Sequence, residues 1–278
     1  LCVGLQPEVI VNNRLGARGG MEGLTGMDGY AGGYGGDYMT PEQDIPDSVE
    51  QGIDWETCMT MNGRWGYNMV DKNFKSTTDL LQKLSDIVSK SGNFLLNVGP
   101  KADGTFPEES IQRLEEIGDW MDVNGEAIHG TVGSPFQELD WGRATQKFHD
   151  ESTTLYLHVF DWPADGELLV PGLAGTVTSA RVLGGSDVLY EMGQGEMTLH
   201  LPSVQPNEHI SVVAVEVQGK PVVYESPKIT ISADTFVHTL KVTLSVGSED
   251  LDIRYSTNDN TQFQIYNKPF EIDTTTTI

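Results

Sequence analysis

The stretch Ser91-Gly-Asn-Phe-Leu-Leu-Asn-Val-Gly-Pro-Lys-Ala-Asp-Gly104 sets the reading of this chain. Phe94 to Val98 is a short apolar run with the composition of a buried strand, and Gly99-Pro100 cannot continue it. In a barrel of parallel strands, such an abrupt polar strand end is where ligands are held. On the N-terminal side, Thr77 to Val88 sets Leu80, Leu81, Leu84, Ile87 and Val88 at helical spacing. Before that helix, Trp55 to Met61 reads as a strand, as does the β-branched run Val9-Ile10-Val11. On the C-terminal side, Thr105-Phe-Pro-Glu108 has the pattern of a capping box, with Thr105 as N-cap and Glu108 as N3. The helix it opens is expected to carry Ile111, Leu114, Ile117, Trp120 and Met121 inward and to close near Asn124-Gly125. Alternating strands and helices are the grammar of a parallel α/β sheet or barrel.

The style changes after Thr131. Thr153 to Trp162, Glu167 to Val170, Met197 to Leu201 and His209 to Val217 are strand-like runs parted by Gly, Pro, Asn and Asp, as in an antiparallel β-sandwich. A linker is expected near Gly219, followed by strands at Lys228 to Ser232, Leu240 to Val246 and Leu251 to Ser256. The fold class expected is therefore α/β plus all-β, in three domains: residues 1–131, 132–219 and 220–278. Both ends interrupt elements in this reading, so the chain is expected to be a piece of a longer protein.

The 278 residues carry a formal net charge of −24, which argues against nucleic acid and anionic membrane surfaces as partners. No run approaches the roughly 18 apolar residues of a membrane span. Cys2 and Cys58 make no disulfide framework, and the scattered histidines never take ligand spacing, so neither a metal nor a cofactor is expected.

Nine acidic residues lie between Asn13 and Gly66, and composition cannot choose among them. Two have a distinctive local context. Glu56 follows Trp55 at the start of a strand-like run, where a large apolar ring would favour a protonated carboxyl. Glu42, in Thr40-Pro41-Glu42, ends the glycine-rich stretch Gly16 to Tyr38, which reads as a functional loop.

Val9-Ile-Val-Asn-Asn-Arg14, Trp55-Glu56-Thr57, Trp65-Gly66-Tyr67-Asn68 and the Phe94 to Gly104 stretch occur in one order, and together they resemble the α-L-fucosidases of glycoside hydrolase family 29. The resemblance covers roughly residues 1–131. It implies that this part is the C-terminal portion of a (β/α)8-like barrel, and that the β-sandwich follows it. The tail, in Asp252-Ile-Arg-Tyr-Ser256 and Tyr266-Asn-Lys-Pro-Phe270, is similar to part of the small β-modules appended to bacterial chitobiases. The activity implied is retaining exo-hydrolysis of terminal α-L-fucose from glycans or oligosaccharides, with an aspartate nucleophile on a strand upstream of this chain. By motif order the acid/base falls on Glu42, with Glu56 as the rival. Arg14 matches a position that contacts the sugar, and Trp65 an aromatic that packs against the pyranose. Family members often have Asn-Asp-Arg-Trp-Gly where this chain has Asn12-Asn13-Arg14-Leu15-Gly16, which bears on linkage preference more than on fucose recognition. The alternative is an inactive fucosidase-like carbohydrate-binding protein. The segment alone, with about three of eight barrel strands, is expected to be inactive. Secretion, or a periplasmic or cell-surface location, is the expectation for such substrates.

Overall fold

Two strands joined by one helix that packs back onto their sheet run parallel, because the crossover returns the chain to the end from which the first strand started. The computed structural model has this arrangement; it describes residues 6, 8–16, 37–47, 49, 52–193, 195–225, 227–232, 238–246, 252–258 and 262–278. Most of the glycine-rich stretch, and Cys2, fall outside the described residues. β1 (Tyr38–Met39), β2 (Asp54–Thr60) and β3 (Asn93–Asn97) pair in parallel in the order β1-β2-β3, with helix α1 (Thr77–Ser89) joining β2 to β3. Ser76 caps α1, its hydroxyl accepting from the Asp79 backbone N–H at 3.1 Å. Along β2, Trp55, Thr57 and Met59 are buried, while Glu56 and Cys58 take the alternate face and are half-buried. Trp55 packs with Met39 and Ile87, and its indole N–H donates to the Lys90 carbonyl at 3.0 Å. Gly92 permits that contact: a Cβ there would lie 2.3 Å from the Trp55 ring.

Two sequence expectations are corrected in this layer. Val9 to Val11 is not a strand. The chain bridges to Tyr38 only through Asn12, because Asp37 takes the Val11 N–H on its own carboxylate at 2.7 Å. Nor does Thr105 cap the second helix, α2 (Glu108–Asn124). Both its backbone N–H and its hydroxyl turn back to Asp103 Oδ1, and Pro107 occupies the N-cap with no side-chain cap bond. Of the residues expected to face inward from α2, Trp120 is buried, whereas Leu114 is 37% exposed.

The antiparallel part begins with β4 (Gly142–Phe148) and β5 (Ser152–Val159), continues through β6 (Glu167–Pro171), β7 (Leu173–Ala174), β8 (Val177–Val182), β9 (Leu189–Met192) and β10 (Glu196–His200), and reaches β11 (Ser211–Gln218) and β12 (Val222–Val223). Among the described residues the orders are β4-β5-β11-β8 and β6-β10-β9. Leu155, Leu157, Val213 and Val215 pack with Leu168, Val170, Met197 and Leu199 between the sheets. β12 pairs with β7, and Val223 lies against the same core. Further on come β13 (Lys228–Ile231), β14 (Leu240–Ser245), β15 (Arg254–Tyr255), β16 (Gln264–Ile265) and β17 (Phe270–Ile272). Tyr255 stacks on Phe270 there at 4.6 Å between ring centroids. No helix among the described residues is long and apolar enough to cross a membrane.

β5 is buried on both faces, because its second face meets the helices. Tyr156, Val212 and Ala214 pack with Leu81, Trp120 and Ala127. His158 is sealed into this seam. Its Nδ1 lies 3.2 Å from Ser85 Oγ of α1, and its Nε2 3.2 Å from Thr145 Oγ1 of β4. Thr145 spends its own proton on the Ala127 carbonyl, so Nε2 carries the hydrogen and the neutral ring is satisfied at both nitrogens. Burial pushes the imidazole from its usual 6.5 down to about 4, the Ala127 carbonyl opposing it only in part. The unfolded chain therefore binds a proton that the folded chain refuses, and stability falls as pH drops through that interval and levels off below it. The loss from His158 is expected to be on the order of 3 kcal/mol. Urea denaturation of the wild type and of His158→Gln across the interval checks this, since only the wild type carries that part of the slope.

Candidate active site

The exit ends of β1 and β2 are locked together by backbone first. Glu42 forms a parallel bridge with Cys58, the Cys58 N–H donates to the Pro41 carbonyl at 3.3 Å, and the Gln43 N–H donates to the Cys58 carbonyl at 2.9 Å. Glu42 thus sits opposite Cys58, with a backbone hydrogen bond on either side of it.

Arg14 reaches this corner from the short 3-10 turn Asn13–Gly16. Its Nε donates to Thr40 Oγ1 at 2.8 Å, Nη2 to the Thr40 carbonyl at 3.2 Å, and Nη1 to Glu42 Oε2 at 3.1 Å. Nη2 also lies 3.5 Å from Cys58 Sγ. Thr40 is fixed in turn, since its N–H and its hydroxyl both donate to Asn13 Oδ1. The side chains of Arg14 and Glu42 are 35% and 31% exposed, so the pair contributes about 0–1 kcal/mol of stability. Its consequence is geometric: a planar guanidinium anchored to Thr40 through Nε and Nη2 holds one carboxylate oxygen of Glu42 at a strand end and leaves the second oxygen unclaimed by Arg14.

Trp65 stands in the turn beyond β2 and is 41% exposed, with Tyr67 at 42%. The end of β3 braces that turn. Asn97 Nδ2 donates to the Trp65 carbonyl at 2.7 Å, and a Cβ on Gly99 would lie 2.8 Å from the Gly66–Tyr67 peptide. The Asn97 amide thereby ties the end of β3 to the Trp65 turn rather than to its own turn at Gly99-Pro100. The Lys101 N–H donates to the Thr105 carbonyl at 2.8 Å.

Of the four residues singled out from sequence, Arg14 and Glu42 are in direct contact. Glu56 is on the same face of β2 as Cys58 but pairs with Asn93, the first residue of β3, about 7 Å back along the strand. Glu56 and Trp65 therefore lie toward opposite ends of β2. The reason offered for Glu56 does not hold, because Trp55 points from the other face into the Met39 and Ile87 cluster. Thr40, Cys58, Gln43 and Thr60 join this corner without having been marked as site residues by the sequence. Thr40 lies within a quoted motif, but nothing in the pattern of a single sequence marks Gln43.

A family model described as α-L-fucosidase matches residues 3–126. An α-L-fucosidase of Dictyostelium discoideum is 33% identical over 221 residues, covering 74% of this chain and 44% of its own length. Among solved structures, α-L-fucosidase isoenzyme 1 from Paenibacillus thiaminolyticus superposes with a TM-score of 0.64 at 33% identity, over 78% of this chain and 52% of that one. An α-L-fucosidase of family GH29 from Bacteroides thetaiotaomicron, trapped as a covalent intermediate with 2-fluoro-fucosyl fluoride in a Glu-to-Gln mutant, gives 0.63 at 29% identity, over 77% and 50%. The chain thus spans about half the length of the proteins it matches, or somewhat less.

Proposed function

Through residues 3–126 the chain belongs to the α-L-fucosidase family, and we propose that the gene product containing it is a retaining, exo-acting α-L-fucosidase. The observation that carries this reading is the Arg14–Glu42 pair, set at the exit of parallel strands inside the matched region. Retaining hydrolysis needs one carboxyl group that first protonates the leaving oxygen and then, as carboxylate, takes a proton from water. Glu42 is assigned that role. Arg14 orients it, and Trp65 offers an exposed aromatic face to the sugar. Support for the covalent route comes from the trapped intermediate of the Bacteroides relative. On this reading the nucleophilic aspartate precedes this chain, and the parallel layer is the C-terminal part of a (β/α)8-like barrel. The substrates are fucosylated glycans or oligosaccharides met outside the cytoplasm.

The test is stereochemical. The complete gene product is given an aryl α-L-fucoside, and the first-formed sugar is followed by NMR before it mutarotates. α-L-Fucose appearing first is the expected result, because two inversions restore the starting configuration. β-L-Fucose first would make the enzyme inverting. An absence of hydrolysis would move the reading to an inactive carbohydrate-binding relative.

A further inference from the structure

We propose that Gln43 is a positioning residue that sets the aim of Glu42, an inference that rests on reading Glu42 as the acid/base. Gln43 has φ +58°, a left-handed conformation that only Gln43, Ser91 and Asn258 adopt among the described non-glycine residues. A side chain with Cβ pays for that conformation, and glutamine has little local reason to adopt it. Such an outlier persists only where its surroundings over-determine it.

The surroundings do so here. Gln43 Nε2 donates to Thr60 Oγ1 at 2.9 Å, and Gln43 Oε1 accepts from the Thr60 backbone N–H at 3.3 Å. The Thr60 N–H can only donate, which fixes which end of the amide faces it. With the Gln43 N–H on the Cys58 carbonyl, three hydrogen bonds tie one residue to the last turn of a single strand. The anchor is itself held: the Thr60 hydroxyl donates to the Asn62 carbonyl, and Lys75 Nζ donates to the Thr60 carbonyl at 2.6 Å. The left-handed step turns the following backbone back, so that the Asp44 carbonyl accepts from Thr57 Oγ1, while the Gln43 side chain runs on to Thr60; the peptide joining Gln43 to Glu42 is held between these contacts. Arg14 holds the Glu42 carboxylate from one side and Gln43 fixes its backbone from the other. A proton donor must be held to a fraction of an ångström, and a misplacement of about 1 Å can cost roughly a hundredfold in rate.

A defect in acid catalysis has a signature that simple damage lacks. Protonation matters for a fucoside with a poor leaving group and hardly at all for a dinitrophenyl fucoside. In the complete gene product, Gln43→Ala is expected to lower kcat/KM on the poor-leaving-group substrate by roughly ten- to a hundredfold, and on the dinitrophenyl substrate by far less. Gln43→Gly relieves the backbone conformation while still removing the clamp, so it folds where the alanine variant does not and should show the same selective loss. Thr60→Val should move in the same direction, and combined with Gln43→Gly it should add little, since both break one contact. Equal losses on both substrates, or none, would overturn the role of Gln43. If Glu42→Ala itself shows no dependence on the leaving group, the reading of Glu42 fails. If Glu42→Ala shows it and Gln43→Gly does not, the clamp alone is refuted.

Discussion

Replacing Glu42 by alanine should lower kcat/KM on a fucoside with a poor leaving group by roughly 10²- to 10⁴-fold, the range that a positioned general acid supplies. Kinetic analysis of the complete gene product checks this, and three further readouts separate chemistry from structural damage. On an activated aryl fucoside, glycosylation needs no proton, so the covalent intermediate should still form and then accumulate, because no base remains to activate water. Added azide needs no base. It should attack the intermediate from the face the leaving group vacated and give α-L-fucosyl azide, with turnover restored. Glu42→Gln keeps an acceptor for Arg14 Nη1 and loses only the proton, so it should fall with Glu42→Ala on the poor substrate while unfolding like the wild type. The pair is a third exposed on each side, so neither variant leaves Arg14 as a buried orphan. Glu56→Ala should show neither the leaving-group dependence nor the azide product. If rescue follows Glu56→Ala instead, the acid/base belongs at the entry end of β2 and the Arg14 corner serves another purpose.

The choice between these two glutamates marks the boundary of what the sequence could say. α1 was legible because its apolar residues recur at helical spacing, and it begins at Thr77 as the spacing predicts; β3 was legible as an apolar run cut off by Gly99-Pro100, although it is not the buried strand its composition suggests, Leu95 being 52% exposed. The exposed turn at Trp65 was legible as a motif. Whether Glu42 or Glu56 meets Arg14 depends on register between strands, and register is a tertiary property: Glu42 lies opposite Cys58, Glu56 opposite Asn93. The supposed Trp55–Glu56 neighbourhood failed for the same reason that strands work at all, since adjacent side chains point to opposite faces. The Thr105 capping box failed because Asp103, two residues earlier, competes for the same donors. β4 escaped notice because Gly-Arg-Ala-Thr-Gln-Lys-Phe has no apolar alternation; its Arg143 and Thr145 bond Asp86 and His158 rather than packing into an oily core. Gln43 is the extreme case. Its proposed role rests on a φ angle and on hydrogen bonds to Cys58 and Thr60 of β2, and neither leaves a trace in local composition.

The largest expected effect on stability falls on the seam between the α/β layer and the sandwich. Trp120→Ala should cost about 3–5 kcal/mol from the lost ring and the cavity it leaves, together with about 1–3 kcal/mol for a stranded carbonyl. The ring is 1% exposed and packs among Leu81 of α1, Ala127 of the 3-10 turn that follows α2, Tyr156 of β5, Ile210, and Val212 and Ala214 of β11. Its indole N–H donates to the Ile210 carbonyl at 2.8 Å, just before β11 begins. Arg143 to Asp86 at 2.5 Å and the Thr78–His209 contact at 2.9 Å cross the same seam, but both are partly solvated. Trp120→Phe separates the two causes: it keeps most of the packing and loses only the hydrogen bond, so it should recover more than half of the alanine loss. Urea denaturation of the complete gene product, followed by far-UV circular dichroism, provides the comparison. In the wild type the helices and the sandwich should unfold together, because Trp120 makes each the other's core. In Trp120→Ala the transition should split, with the α/β layer melting first, since β5 and β11 retain their packing against β6 and β10 on the far side. A single, unshifted transition would mean that the sandwich is an appendage and that the active-site layer stands without it. A split with early loss of activity would make the sandwich part of what holds Glu42 and Arg14 in register.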